Sequence, residues 1–228
     1  MEKGLNRNQL KYIAIITMIV DHIAFLFIPF HTSTYKAFRF IGKLTAPIMC
    51  YFLAEGYIYT SSKSKYATRL LIFAIISQVA FSLAFYNKIF TFNFNMIFTL
   101  LISFVVLLSY EKIKNKFVKW IAVSSLVILS YFSDWGIFAP LWVLCFYILK
   151  GKKTKQAVSY YILTTLVIIL KCVIINNYSW NNVLIHLGLF LFIPILYLYN
   201  GEKGKNNKFN KWFFYIFYPL HLIILYLV

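Results

Sequence analysis

The chain is a succession of apolar runs, most close to twenty residues long, joined by short connections that are alternately basic and nearly uncharged. A helix rises about 1.5 Å per residue and a bilayer's hydrocarbon core is about 30 Å thick, so roughly 20 apolar residues make a span. Nine segments qualify on this basis: about 12–30, 39–60, 69–86, 92–110, 118–132, 137–149, 157–175, 183–199 and 212–228. The sixth is short, and only Ser133-Asp134-Trp135-Gly136 separates it from the fifth. These two form a tight helical hairpin, or one of them is re-entrant. The expected fold class is therefore an all-α polytopic membrane protein, a bundle of about nine transmembrane helices, or eight if that pair does not cross twice. Residues 1–228 read as one integral membrane domain.

The charge distribution orients the bundle. The chain carries 23 Lys+Arg against 6 Asp+Glu, a formal net charge of +17. On a soluble protein this would point to nucleic acid, whose partners display basic residues on a wetted surface. Here 61% of residues are hydrophobic and only 13% charged, where a soluble domain carries about 25% charged residues. Eighteen of the 23 basic residues lie in the N-terminal stretch and in every second connection, from Lys3, Arg7 and Lys11 through Lys63, Lys65 and Arg69 to Lys203, Lys205, Lys208 and Lys211. Intervening connections such as 176–182 are nearly uncharged. Short loops rich in Lys and Arg stay in the cytoplasm, so the N-terminus is expected there. The net charge is then a topology signal; the expected partners include membrane lipids and exclude nucleic acid. Cys50, Cys145 and Cys172 fall inside apolar runs without metal-ligand spacing, so neither a disulfide framework nor a metal is expected.

Ionisable groups within spans are costly and by default mark function. Asp21 and His22 are adjacent in the first span, with His22 ten residues past Tyr12, roughly 15 Å into the membrane. Neighbours on a helix point about 100° apart, so the two face different surroundings. Lys11 is eleven residues before His22 and on the same face, either a topology lysine or a cation for phosphate. His221 is midway along the last span and can meet His22 in the bundle or bond a backbone carbonyl. Either histidine has the pKa range of a general base. Glu55 lies near the cytoplasmic end of the second span, with Arg39, Gly42 and Lys43 near its outer end. Gln78 and Asn95 add uncharged polar groups, and Asp134, in the outer hairpin, is a candidate partner for Arg39. Lys171, His31 and His186 read as interfacial or snorkelling side chains.

The polar positions form an ordered set. It comprises Ile-Ile-Thr-Met-Ile-Val-Asp21-His22-Ile, Arg39-Phe-Ile-Gly42-Lys43-Leu-Thr-Ala-Pro47, Ala-Glu55-Gly56-Tyr and the stretch from Arg69 to Ser77-Gln78. Asn95-Met-Ile-Phe-Thr99-Leu, Asp134-Trp-Gly136, Tyr-Asn200-Gly201 and Phe-Tyr218-Pro219-Leu-His221 complete it. In these segments, spread over essentially the whole chain, the protein resembles the TraX family of bacterial integral membrane proteins. Lys43 and Gln78 depart from the pattern, standing where Arg and an acid are more common. The resemblance implies an acyltransferase-like domain of the bacterial cytoplasmic membrane, associated with acetylation of pilin. Acetyl-CoA would be the donor and a peptide, pilin-like protein or glycan the acceptor. On that reading His22, Asp21 and His221 are catalytic candidates and Lys11 contacts the donor's phosphates. Arg39, Glu55, Asn95 and Asp134 would line the acceptor site. The rival expectation is a proton-coupled transporter or lipid scramblase that relays protons through the Asp21-His22 pair.

Overall fold

The computed structural model describes residues 4–174, 180–204 and 208–228, excepting the side chains of 171–174, 180–182 and 208–211. The expectations for Lys171, Cys172, Lys3, Lys205 and the 176–182 connection fall outside the described residues or side chains. Among the described residues the regular elements are helical: α1 (Arg7–Phe27), α2 (Ser33–Gly42), α3 (Thr45–Tyr59), α4 (Lys63–Tyr86), α5 (Met96–Lys112) and α6 (Lys116–Leu129). They continue with α7 (Phe138–Ile148), α8 (Lys153–Ile174), α9 (Trp180–Leu187), α10 (Phe192–Leu198) and α11 (Lys208–Leu227). Strand-like pairing among them is limited to isolated bridges, Leu5 with Tyr199 and Phe94 with Ser133.

Each apolar segment of the sequence corresponds to helix, but two are interrupted. The second is divided into α2 and α3 at Lys43 and Leu44, and the eighth into α9, a 3₁₀ turn at Gly188–Leu191 and α10. Pro47, Pro140 and Pro194 each occupy the third position of a helix, in the first turn, where no intrahelical donor is needed. Pro219 alone lies inside a helix, α11. Among the described residues, three helical stretches are long and apolar enough to cross a membrane: Arg7–Phe27, Ser33–Tyr59 and Lys63–Tyr86. Phe138–Ile148, Val183–Leu198 and Trp212–Leu227 are apolar but shorter.

The chain divides into two compact units, residues 1–49 with 149–210, and residues 50–148 with 211–228. In the first unit, α1 opens on a capping box. The Asn6 side chain accepts from the Gln9 amide at 3.0 Å, and Gln9 Oε1 accepts from the Asn6 amide at 2.8 Å. Its buried stripe runs Leu10, Ala14, Thr17 and Ala24, and the same period includes Asp21. The helix packs closely on α2 because position 42 is glycine: a Cβ there would lie 2.3 Å from Asp21 Cβ. Gly188 serves α2 in the same way from the other side, where a Cβ would meet the Phe40 carbonyl oxygen at 1.9 Å. The start of the chain is tied down by Leu5 N–H to Leu198 O at 2.8 Å and Arg7 N–H to Glu202 O at 2.8 Å.

The second unit packs Phe104, Val106, Leu107, Val143 and Phe146 at its core. Its polar brace is Gln78 on α4. Gln78 Nε2 donates to the Asn93 carbonyl at 2.9 Å, and its Oε1 accepts from both the backbone and the side chain of Asn95, at 3.0 and 2.9 Å. The connection before α5 meets the α6–α7 hairpin through Phe94 N–H to Phe132 O at 2.8 Å and Asp134 N–H to Phe94 O at 2.7 Å. Large apolar side chains stand exposed in stripes, Leu71, Ile72, Ile75, Ile76 and Val79 on α4 and Ile162, Leu166, Ile169 and Leu170 on α8.

Candidate functional site

In the first unit the α1–α2 crossing holds an ion pair. Arg39 Nη1 donates to Asp21 Oδ2 at 2.5 Å, with side chains 17% and 14% exposed. Asp21 is on the packed stripe of α1, and α2 presents Arg39 three residues, about one turn, before Gly42. The guanidinium also lies 5.1 Å from the Phe25 ring centroid and 6.0 Å from that of Tyr35, so aromatic faces share in holding it. The pair is monodentate. Asp21 Oδ1 is buried without a hydrogen-bond partner among the described residues, pressed against the Gly42 backbone. The partner of Arg39 is thus Asp21, where the sequence pointed to Asp134. One α1–α2 crossing decides this: it brings side chains eighteen residues apart within bonding distance.

His22 is half-buried on the adjoining face of α1, as the 100° step requires. Lys11 is on the same unbroken helix and the same stripe, about 16 Å below His22 at 1.5 Å per residue. A second polar link holds the crossing of α1 with the start of α3: the Thr17 and Thr45 hydroxyls are 2.9 Å apart and both reach the Ala14 carbonyl.

In the second unit the structure brings Asn95 and Asp134 to the first turn of α5, where Tyr218 of α11 also arrives. Asn95 is fully buried and caps that helix. Its Oδ1 accepts from the Ile97 and Phe98 amides at 3.0 and 3.2 Å, and its Nδ2 donates to Ala74 O and Gln78 Oε1 at 2.8 and 2.9 Å. An amide side chain has two donors and two acceptor sites, and all four are engaged by protein, which gives Asn95 a bracing role. Asp134 is pinned by its backbone, with its carbonyl accepting from Thr99 Oγ1. The following Trp135 and Gly136 have φ of 67° and 49°, a left-handed turn that fixes the hairpin tightly. The Tyr218 hydroxyl accepts from Met96 N–H at 3.4 Å. His221 follows one turn later, its ring 5.5 Å from that of Tyr218. His221 Nδ1 is 3.0 Å from the Phe217 carbonyl, donating to it when that nitrogen carries the proton. This is the backbone-bonded arrangement that the sequence left as one of two readings. Glu55 is half-buried on α3 in this unit.

Sequence reasoning missed two features. Tyr218 was noted only as part of a segment, yet it links α11 to α5. Glu111 was hidden among lysines. It accepts from Tyr57 and Lys63, whose ammonium also lies 4.2 Å from the Tyr57 ring centroid. Lys63 first and Tyr57 second hold the Glu111 carboxyl below the usual carboxylate range. The signal was present in composition, since a chain with only 6 acids spends none carelessly. Among the described residues no group of three His, Cys, Asp or Glu side chains is placed to hold a metal.

Residues 6–228 match the family described as TraX protein. The chain is also 31% identical over 227 residues to the probable fimbrial assembly protein FimC, serogroup H1, of Dichelobacter nodosus, covering 95% of this chain and 93% of that one. No solved structure matches it. A match that starts just before α1 and runs through α11, taking in both polar clusters, places this chain in the TraX family.

Proposed function

We propose that the protein is a membrane-embedded acyltransferase of the bacterial cytoplasmic membrane, moving acetyl from acetyl-CoA to an amine or hydroxyl on a membrane-delivered acceptor. The observation that carries this reading is the Asp21–Arg39 pair within apolar α1 and α2, next to His22 and in line with Lys11. Burying such groups in an apolar interior is costly unless they are used. Membership of the TraX family and the fimbrial assembly role named for the Dichelobacter nodosus relative favour a pilin-like peptide N-terminus as acceptor. A glycan hydroxyl is the other acceptor with the right nucleophile.

In this mechanism the donor's phosphates meet Lys11 and neighbouring basic residues, and its thioester reaches His22. His22 removes a proton from the acceptor amine as the nitrogen attacks the thioester carbonyl. The new C–N bond forms, the C–S bond breaks, and the leaving thiolate takes the proton from the imidazolium. Asp21, fixed by Arg39, favours that imidazolium electrostatically. Replacing His22 with Ala should abolish acetylation of secreted peptides and surface polymers, read by intact mass as loss of one acetyl group, with expression unchanged. Wild-type acetylation in that variant would remove His22 from the chemistry. Proton-coupled flux by the purified protein in liposomes, without acetyl-CoA binding, would favour the transporter instead.

The same proposal sets nine spans with a cytoplasmic N-terminus. The alternation of basic connections supports it. So do the exposed apolar stripes on α4 and α8 and the exposed Ile216, Leu220, Ile223 and Ile224 on α11, surfaces suited to lipid. A phosphatase reporter that works only outside the membrane should be active when fused after Phe90 and inactive after Lys114. The reverse pattern would overturn the orientation.

A further inference from the structure

The connection from α4 to α5 reads Lys88-Ile89-Phe90-Thr91-Phe92-Asn93-Phe94, without an acid and with a phenylalanine at every second position from 90 to 94. Phe90 and Phe92 are 54% and 77% exposed, and their rings meet edge to face with centroids 5.4 Å apart. Ile89 beside them is exposed, as is Tyr86 at the end of α4. The α6–α7 hairpin adds Tyr131 and Phe132, two more exposed rings, and is joined to the connection by Phe94 N–H to Phe132 O. One end of the second unit thus presents a cluster of aromatic faces.

The polar groups of the same connection are engaged on its inner side. Gln78 Nε2 donates to the carbonyls of Thr91 and Asn93 at 3.3 and 2.9 Å. The Thr91 and Ser82 hydroxyls are 3.2 Å apart, Lys88 N–H donates to Ser82 O at 3.3 Å, and Asn93 Nδ2 donates to the Tyr86 hydroxyl at 3.0 Å. The connection is therefore braced by α4 with its phenylalanines turned out. Clustered apolar side chains left exposed in this way mark a surface that meets something other than water. Backbone groups that are already paired can enter an apolar medium at little cost.

The place of this cluster along α4 identifies its partner. Helix α4 has 24 residues and is long and apolar enough to cross a membrane. At 1.5 Å per residue it measures about 36 Å, a little more than a hydrocarbon core of about 30 Å. Its exposed stripe passes through Ile72, Ile75, Ile76 and Val79, and Tyr86 follows Val79 by seven residues, two turns on and on the same face. The aromatic cluster therefore continues the apolar stripe to the level where the span leaves the hydrocarbon. Aromatic side chains concentrate at that level, and an exposed cation such as Lys88 suits the phosphates there. We propose that Phe90 and Phe92, with Tyr86, insert into the boundary between headgroups and acyl chains, so that phospholipid covers this face and anchors the α4–α5 connection. The proposal rests on α4 crossing the membrane and is independent of the acyltransferase reading.

The test uses full-length protein carrying the photoreactive residue benzoylphenylalanine in place of Phe92, irradiated in phospholipid nanodiscs and read by intact mass. The chain should gain the mass of one phospholipid. The yield should be close to that from the same residue in place of Ile75, on the α4 stripe, and well above that from Glu202, in an exposed connection. Lipid capture from position 75 with none above the Glu202 level from position 92 overturns the proposal and leaves α4 as a span. A doubled chain mass from position 92 overturns it in favour of a second copy as the occupant. Absence of lipid capture from position 75 overturns the crossing by α4 and the proposal with it.

Discussion

Arg39→Met should destabilise the protein by about 3 kcal/mol, because it strands the Asp21 carboxylate inside an apolar helix crossing. The wild-type pair is monodentate, and Asp21 Oδ1 already lacks a partner among the described residues. Removing Arg39 takes away the hydrogen bond that Oδ2 receives and the nearby positive charge together. Asp21→Leu combined with Arg39→Met should recover most of that loss. A buried pair replaced by apolar side chains of similar volume is often neutral, whereas half a pair is not. Thermal unfolding of the two variants in nanodiscs decides the matter. A single variant as stable as wild type would mean that the pair is solvated, contrary to exposures of 17% and 14%. Acetylation should be lost in both variants if the pair tunes His22, so stability and activity separate in the double variant.

The second large effect is expected at Gly188. A Cβ there would stand 1.9 Å from the Phe40 carbonyl oxygen and 2.7 Å from its carbon. Both are backbone atoms of α2, so no side-chain rotation relieves the clash. Overpacking of a rigid core costs about 1–3 kcal/mol, and occasionally more; a backbone clash this deep belongs at or beyond the upper end. Gly188→Ala should therefore lower the melting temperature and reduce the folded yield relative to the wild type. A melting temperature equal to that of the wild type would show that α2 can shift without cost. Because α2 carries Arg39, a displaced α2 should also weaken the ion pair.

The helices themselves were largely legible. Hydropathy located the apolar bodies of α1, α4, α5, α6, α7, α8 and α11, since an apolar run long enough to bury its own backbone bonds has little choice but helix, though α1 and α4 begin at Arg7 and Lys63, before the apolar runs at 12 and 69. The breaks at Lys43-Leu44 and at Gly188 were not legible, because they accommodate close packing against another helix, and hydropathy reports nothing about packing. For the candidate site, the sequence singled out Asp21 and Arg39 as costly in their surroundings but not as partners of each other. It named Asn95 as polar within a span without revealing that Gln78 and the α5 amides engage its whole amide group.

By itself, then, the sequence determined that this chain is helical and suited to a membrane, and which residues are expensive to bury there. Those properties are local: each depends on run length, side-chain polarity and the position of lysines along the chain. Only the tertiary structure decided which expensive groups are paired. Asp21 meets Arg39, and Asn95 meets Gln78. Pairing depends on distances between residues far apart in sequence, and those distances are set where helices cross, at positions such as Gly42 and Gly188 where the absence of a side chain lets two backbones touch.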